Sequence, residues 1–293
     1  MGIVLVILSA ISFSLSAVFG KIVTSNWDVA GSIVSIGRFS LTGIIMLIFM
    51  IMAKKSFKAK NFKPIFMRGI FSALAIISYF VSFEYTTITK ANMLHMLYPG
   101  FIILLTPMVL KEKVDRSKYI YMALMLFAAY IIVNPTFDSI NLGDSLAFFS
   151  AIASSFSVMA LTLARKKDDT YLVIFYVMLI GFFINLPFVY NDLSSVPMDA
   201  IPLILLASIF GTLGQITMTL GYKMVDSSTG ALISSNRIVI TTIIGVVFLS
   251  EPMNFRIITA ITITTLCLIG ISGYFQKRFG LRKRELKTDV MGE

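Results

Sequence analysis

The sequence predicts an all-α integral membrane protein of ten transmembrane helices, arranged as two inverted five-helix repeats. Three observations lead to this fold class. Of the 293 residues, 57% are hydrophobic and only 14% are charged, whereas soluble domains average about a quarter charged. Ten apolar runs follow one another, most of them about 18–22 residues long, which is enough to cross a ~30 Å hydrocarbon core as helix. The first five runs resemble the last five, which indicates an internal duplication.

The apolar runs leave only short loops between them, so no domain outside the membrane is expected. A membrane-spanning barrel would instead show short strands of alternating hydrophobicity. The ten runs are placed at residues 2–22, 31–53, 65–84, 90–110, 117–134, 143–164, 171–190, 200–222, 230–250 and 256–275.

The repeat is visible in the sequence itself. The pattern Ser-Ala-Ile-x-x-Ser-x-Ser begins at Ser9 and again at Ser150, and the pattern Leu-x-Glu begins at Leu110 and again at Leu249. A duplicated odd number of spans inserts its second copy upside down, and such inverted repeats are typical of transporters with a site between the halves. We divide the chain into 1–137 and 138–293, the second part carrying a basic tail. The two halves are expected to form one membrane domain.

Basic residues are distributed unevenly between the two sets of loops. One set, which includes the C-terminal tail, holds twenty of the 25 Lys and Arg residues, and the other set holds Lys21, Lys90 and Arg256. The twenty are Lys54, Lys55, Lys58, Lys60, Lys63, Arg68, Lys111, Lys113, Arg116, Lys118, Arg165, Lys166, Lys167, Lys223, Lys277, Arg278, Arg282, Lys283, Arg284 and Lys287.

This asymmetry predicts a multi-pass protein of the cell (inner) membrane with both termini in the cytoplasm. Loops 2–3 and 4–5 are basic, whereas their counterparts 7–8 and 9–10 hold only Arg256, as two oppositely inserted copies require. The net charge of +10 is therefore expected to meet the lipid bilayer and its anionic headgroups rather than nucleic acid. The first run lacks a basic region before it, so we do not interpret it as a cleaved signal peptide.

Several local patterns resemble the drug/metabolite transporter superfamily, in its EamA-type, ten-helix branch. They are Gly37-Arg38-Phe39, Tyr98-Pro99-Gly100 followed by Leu110-Lys-Glu112, Gly211-Thr-x-Gly214-Gln215 and Leu249-Ser-Glu251-Pro252. The resemblance covers essentially the whole chain and implies a transporter of small organic metabolites, with export as the direction. The chain departs from the family pattern in span nine, where Asn236-Arg237 stands in place of the proline that would mirror Pro99.

Arg38 and Arg237 are the two charged residues that fall well inside apolar runs. A guanidinium at a membrane helix centre costs about 2.5–3.5 kcal/mol on insertion scales. Its planar fork matches a carboxylate, so both residues are candidates for binding an anionic substrate. The alternative is a structural role, in which the side chain reaches a headgroup or a helix-end carbonyl.

Span four carries a second group of candidates. Asn92, His95 and Tyr98 recur every three residues, so they are expected to share one helix face that is too polar for lipid and lines a cavity. The alternative for His95, the single histidine, is an interhelical hydrogen bond. Pro99 and Gly100 follow and predict a kink or hinge, because proline removes a backbone hydrogen bond.

Polar residues of the other spans complete the predicted substrate site. For the serine stripes of spans one and six, close helix packing through small residues is the alternative interpretation. Glu84, at the outer end of span three, is expected to pair with Lys90. The remaining candidates are Ser12, Ser16, Tyr79, Ser154, Gln215 and Asn236.

No pattern in the sequence points to an enzyme. The chain has one cysteine and one histidine, and it lacks a phosphate-binding loop, a metal-ligand cluster and a nucleophile–base motif. We therefore expect no cofactor and no metal. The partners expected are a small-molecule substrate and the bilayer, with protons as a candidate coupling ion and a monomer or weak dimer as the assembly.

The function favoured by the sequence is secondary transport, most simply export, of small anionic or zwitterionic metabolites such as amino acids. Two alternatives remain. A cationic drug or multidrug exporter would require a membrane-buried carboxylate to bind its substrate. A scaffold or lipid scramblase would not need the polar face of span four.

Overall fold

The computed structural model describes residues 1–111, 113–133, 141–190, 192, 196–249 and 253–271. All regular elements in these ranges are helical, and a 3-10 turn, Met198–Ala200, precedes α9. The helices are α1 (Gly2–Asn26), α2 (Gly31–Met52), α3 (Phe62–Ser82), α4 (Ile88–His95), α5 (Tyr98–Val109), α6 (Arg116–Val133), α7 (Leu142–Arg165), α8 (Thr170–Val189), α9 (Ile201–Gly221), α10 (Ser227–Ser234), α11 (Asn236–Leu249) and α12 (Phe255–Ile271).

Eight helical segments in the described ranges are long and apolar enough to cross a membrane. Large apolar side chains on their outer surfaces, such as Phe183 and Val247, are more than half exposed, as expected for side chains that face lipid. The helical fold class predicted from the apolar runs is therefore confirmed. The eight segments are α1, α2, α3, α4 with α5, α7, α8, the 3-10 turn with α9, and α10 with α11.

Four helices of the described ranges begin at side-chain caps, one of them α12, where Oδ1 of Asn254 accepts a hydrogen bond from the backbone N–H of Ile257. The Thr87 hydroxyl accepts a hydrogen bond from the backbone N–H of Lys90 at the start of α4, and the Asp226 carboxylate accepts one from Thr229 at the start of α10. Asn141 and Asp144 form a reciprocal capping box at the start of α7. Each cap satisfies backbone donors that have no partner within the helix.

Helix pairing joins the first half of the chain to the second. α1 packs against α9 as α7 packs against α3, and α2 packs against α8 between these pairs. If each helix is replaced by its counterpart in the other half, the pair α1–α9 becomes the pair α7–α3, and α2–α8 remains the same pair. The pattern of pairs is therefore unchanged by the exchange. Since each of these pairs takes one helix from each half, the largest buried surfaces of the protein lie between the halves.

Two membrane segments are broken near their middle. α4 ends at His95 and α5 begins at Tyr98, because Pro99 has no N–H to offer the carbonyl of His95. α10 ends at Ser234 and α11 begins at Asn236, although this segment contains no proline.

Two serine side chains lie at the second break and favour a bend there, although Ser208 makes the same kind of bond inside the continuous helix α9. The hydroxyls of Ser234 and Ser235 donate to the carbonyls of Gly230 and Ala231, four residues earlier. Such bonds compete with the backbone ladder and bend helices.

Some sequence features lie outside the described residues. They are Glu112, Glu251, the joint between the halves at 134–140, and the basic tail beyond residue 271.

Close packing of α2 against α8 depends on a glycine. A Cβ added at Gly181 would lie 2.3 Å from Cε1 of Phe39, a ring that is fully buried. Gly181→Ala should lower the free energy of unfolding by about 1–3 kcal/mol, because the ring has no room to move. The expected result is a lower melting temperature of the purified protein in detergent.

The same interface offers a matched control. A Cβ at Gly43 would meet Cβ of Met178 at 3.6 Å, an ordinary contact. Gly43→Ala should be neutral or slightly stabilising, since alanine favours helix over glycine by about 1 kcal/mol. Equal melting temperatures for the two variants would contradict the packing argument.

Candidate functional site

A cavity lined by charged, polar and apolar residues lies at the centre of the bundle, among α1, α2, α3, α7, α9 and the two broken segments. Its volume is about 80 Å³, room for a few water molecules, so a metabolite would bind only in a wider state of the cavity. Its lining residues are Ser9, Ala10, Phe13, Arg38, Arg68, Ser72, Ala75, Ile76, Tyr79, His95, Met96, Tyr98, Ser154, Ser157, Val158, Gln215, Met218, Ser234 and Arg237.

Arg237 is the second residue of α11, directly after the break in its segment. Its guanidinium carbon lies 4.8 Å from the ring centre of Tyr79 and 5.6 Å from that of Phe13. The side chain is buried, and its Nε has no hydrogen-bond partner in the protein. The break therefore presents a cation to the cavity in contact with two aromatic faces.

Arg38 reaches the same cavity from α2. Its guanidinium carbon lies 4.7 Å from the ring centre of Phe13, so Phe13 contacts both arginines. A Cβ at Gly211 would stand 2.7 Å from Cδ and Nε of Arg38, which explains why a glycine occupies this position of α9. The Nε of Arg38 also lacks a hydrogen-bond partner in the protein.

Arg68 is a third buried cation, which the sequence interpretation placed at the start of span three and counted with the basic residues of loop 2–3. It lies in the second turn of α3 and is only 2% exposed, so it does not belong with the loop. Its Nη1 donates to Oγ of Ser157 on α7 at 2.9 Å, and its Nε is unpartnered. The apolar run continues on both sides of Arg68, and α3 begins a turn and a half before it, so the residue enters the bundle.

The cavity is electrostatically unbalanced. Its lining includes three guanidinium groups and neither Asp nor Glu. Arg38 and Arg237 contact one ring, so their guanidinium carbons lie within about 10 Å of each other, where two like charges repel by about 1.5 kcal/mol at an effective dielectric constant of 20. In the part of the chain that the structure describes, the two ion pairs are Lys90–Asp144 and Lys118–Asp226, and neither involves these arginines.

Neutral polar groups surround the cations. Nδ1 of His95 lies 2.8 Å from Oγ of Ser150 on α7, and the His95 ring contacts the rings of Tyr79 and Tyr98. Thus the interhelical hydrogen bond considered for His95 is present, and His95 also lines the cavity. Tyr98 lies beyond the break, so Asn92, His95 and Tyr98 do not share one continuous helix face as predicted.

Asn92 does not line the cavity. It is fully buried behind Tyr79, whose hydroxyl donates to Oδ1 of Asn92 at 3.2 Å, and its Nδ2 donates to the carbonyl of Arg237 at 3.4 Å. An amide there holds α3, α4 and α11 together and positions two residues that do line the cavity.

The other predicted site residues divide into two groups. Ser154 and Gln215 line the cavity, whereas Ser12, Ser16 and Asn236 do not. Ser16 donates to the carbonyl of Ala207 at 2.6 Å, which corresponds to the packing alternative for the serine stripe. Pro99 and Gly100 are buried directly after the break in span four.

Residues of several helices line the cavity without having been predicted. Phe13 lies within the serine stripe of α1, where its apolar type gave no signal of a site. Arg68 would have been found by asking which charges fall inside apolar runs. The others are Ser9, Ser72, Ser157, Met218 and Ser234, among further small and apolar residues.

The expected pair between Glu84 and Lys90 is wrong. Lys90 instead bonds Asp144 at 2.6 Å, while Glu84 accepts a hydrogen bond from the backbone N–H of Gly31 at the start of α2. Asp144 pairs with Lys90 because it is buried at the start of α7, which packs against α4.

Metal binding has no support in the described ranges, where no group of three His, Cys, Asp or Glu residues is placed to hold an ion.

An apolar helical bundle with a charged cavity at its centre is the architecture of a membrane transport protein. The profile of the EamA-like transporter family matches residues 1–134 and again residues 141–273, so the chain belongs to this family. This confirms the resemblance to the drug/metabolite transporter superfamily.

Similarity to individual proteins agrees with membership of this family. A protein of Helicobacter pylori named an uncharacterized transporter is 27% identical over 248 residues, which cover 81% of this chain and 83% of that protein. The pseudopaline exporter CntI of Pseudomonas aeruginosa is 22% identical over 249 residues, 84% of each chain. A crystal structure with 14% identity superposes with a TM-score of 0.72, covering 90% of this chain and 95% of that one, which shows a shared fold.

Glu84 gives a testable dependence on pH. Partial burial raises the pKa of its carboxyl, the hydrogen bond from Gly31 opposes this, and Asp28 and Asp192 raise it further. A carboxyl with a raised folded-state pKa contributes most stability when protonated, and that contribution is lost as pH rises from its unfolded to its folded pKa. Glu84→Gln should therefore melt at a higher temperature than wild type at neutral pH, with little difference near about pH 4.

Asp115→Asn serves as the control, because it also removes one negative charge but from an exposed site before α6. If Glu84→Gln and Asp115→Asn shift the melting temperature equally at both pH values, the pKa of Glu84 does not carry the effect.

Proposed function

We propose that this protein is a secondary transporter that exports small anionic or zwitterionic metabolites, such as amino acids, by alternating access around the central cavity. The observation that carries the proposal is the pair of Arg38 and Arg237 guanidinium groups, buried beside the cavity without a carboxylate among its lining residues. A substrate carboxylate would supply the missing charge and fit the planar fork of either arginine. The name of the relative CntI, an exporter, supports the direction.

The architecture we propose is ten spans in two inverted repeats, residues 1–137 and 138–293. α6 and α12, which pack against each other, add two crossings to the eight segments described above. The exchangeable pattern of helix pairs supports the repeat, as do the breaks in the segments Ile88–Val109 and Ser227–Phe248. The caps of α4 and α10, Thr87 and Asp226, stand 139 positions apart, the same spacing as Leu110 and Leu249.

Alternating access would require each end of the cavity to open in turn. Lys90 of α4 pairs with Asp144 of α7 at one end, and Lys118 of α6 pairs with Asp226 of α10 at the other. Both ion pairs join the two halves, so a rocking motion would break one while keeping the other. Pro99 and Gly100 are the proposed hinge, since the break ahead of them gives the two half-helices freedom to move.

Both termini are proposed to lie in the cytoplasm of an inner-membrane protein, on the basis of the basic loops. Protons are the candidate coupling ion, with His95 the titratable group for them in the cavity. The assembly proposed is a monomer or weak dimer, because one chain encloses the cavity.

Arg237 should be the main contact for the substrate anion. Arg237→Lys keeps the charge but loses the two-pronged hydrogen bond, so binding should weaken about tenfold, and Arg237→Ala should lose binding almost wholly. We would measure amino-acid and organic-acid flux in proteoliposomes, with folding checked by size-exclusion chromatography. Arg256→Ala, which removes an exposed arginine of α12, controls for net charge.

Near-normal flux of an anionic substrate by well-folded Arg237→Ala protein would show that this arginine is structural. Flux of cationic drugs by wild-type protein would then place the cationic exporter alternative ahead.

The topology is tested by labelling single cysteines. With Cys267 replaced by serine, Lys58→Cys should be labelled by an impermeant maleimide only after the membrane is permeabilised, and Asp192→Cys should be labelled in intact cells. Both positions are exposed. Labelling of position 58 from outside intact cells would reverse the proposed orientation.

A further inference from the structure

We infer that the substrate of the central cavity carries two separated anionic groups, as an organic dicarboxylate does. This inference rests on the proposed function and narrows its substrate class. It depends on Arg68, the third buried cation, which the sequence analysis counted with a basic loop.

The charge balance of the cavity favours a dianion. Three guanidinium groups line it, and neither Asp nor Glu is found among the lining residues that the structure describes. The Nε atoms of Arg38, Arg68 and Arg237 are all buried without a hydrogen-bond partner in the protein. A single carboxylate offers about four acceptor positions on one centre, so it can serve one or two of these groups but leaves the third uncompensated.

The positions of the three arginines favour two separate anionic groups rather than one. Arg38 and Arg237 share the ring of Phe13 and so form a pair. Arg68 is not among the cations that lie over the Phe13 ring, and it approaches the cavity from α3, where it donates a hydrogen bond to Ser157 of α7. One anionic group would therefore lie against the pair, and the second would lie against Arg68.

The remaining lining groups are neutral. Hydroxyls of Ser72 and Ser154 and the amide of Gln215 border the cavity and can accept or donate hydrogen bonds. They would serve hydroxyl or amino groups between the two carboxylates. A substrate with one carboxylate and one ammonium group would bring its ammonium charge close to the three guanidinium charges. A low dielectric constant increases the repulsion between such like charges.

The test compares dicarboxylates with their monoamides, which have nearly the same shape but one charge fewer. Full-length protein in lipid nanodiscs would be titrated calorimetrically with the linear series from malonate to suberate and with each monoamide. For the best-fitting length, the affinity of the dicarboxylate should be at least about tenfold higher than that of its monoamide. Arg68→Gln should reduce that preference to about threefold or less.

Lys63→Gln is the matched control, because Lys63 is an exposed cation on the same helix as Arg68. It should keep the wild-type preference. Arg68→Lys should keep part of the preference, since it retains charge without the planar fork. If Arg68→Gln does not fold, two measurements still test the inference. They are the ratio of dicarboxylate to monoamide affinity in wild-type protein and the partial loss of that ratio in Arg68→Lys.

The outcomes separate this inference from the proposed function. If dicarboxylates and monoamides bind equally and Arg237→Ala abolishes both, anion transport stands and the inference of two anionic groups is wrong. If neither series binds while organic cations do, the proposed function itself fails. A dicarboxylate preference that Arg68→Gln leaves intact would also overturn the assignment of the second anionic group to Arg68.

Discussion

Inserting a guanidinium at the centre of a membrane helix costs about 2.5–3.5 kcal/mol, and this bundle places three of them around one cavity. Much of the local structure can be understood as a response to that cost. The ring of Phe13 contacts Arg38 and Arg237, Tyr79 lies against Arg237, and Ser157 accepts a hydrogen bond from Arg68. These neutral partners reduce the penalty without cancelling the charge, which leaves a positive field in the cavity on which the proposed anionic substrate depends.

The broken segments add to that field. α5 begins at Tyr98 and α11 at Asn236, so two helix N-termini lie near mid-membrane. A helix N-terminus carries a partial positive charge, although the N–H groups of Gly100 and Ile238 bond carbonyls at the breaks. The packing between halves brings these termini to a common centre, since α4 contacts α11 and α5 contacts α10. A break in the middle of a span is tolerated only where the freed backbone groups meet protein or water, and the cavity provides such a place.

The sequence was sufficient to predict the helical bundle and the cavity position of Arg237, because long apolar runs and a charge inside one are strong signals in a membrane protein. It was insufficient for the break at Ser235, because the segment contains no proline, and serine bonds of the kind found there also occur in continuous helices such as α9. Asn92 was predicted to line the cavity, but it lies behind Tyr79, and helical spacing alone does not reveal which neighbour covers a polar group. Arg68 was missed as a site residue because it lies only four residues into the predicted run 65–84 and was counted with the neighbouring basic loop.

The hydrogen bond between Arg68 and Ser157 has a consequence for the order of biosynthesis. Arg38 meets Phe13 as soon as the first two helices emerge, but the partner of Arg68 lies 89 residues further along the chain. At about 5–20 residues per second, the ribosome supplies α7 roughly 5–20 s after α3. During that interval Arg68 of the third helix lacks its hydrogen-bond partner, which favours keeping α3 near the insertion machinery or the headgroups until the second half arrives. A nascent chain released early, after its first five helices, would carry an exposed charge in the membrane and be a ready target for quality control.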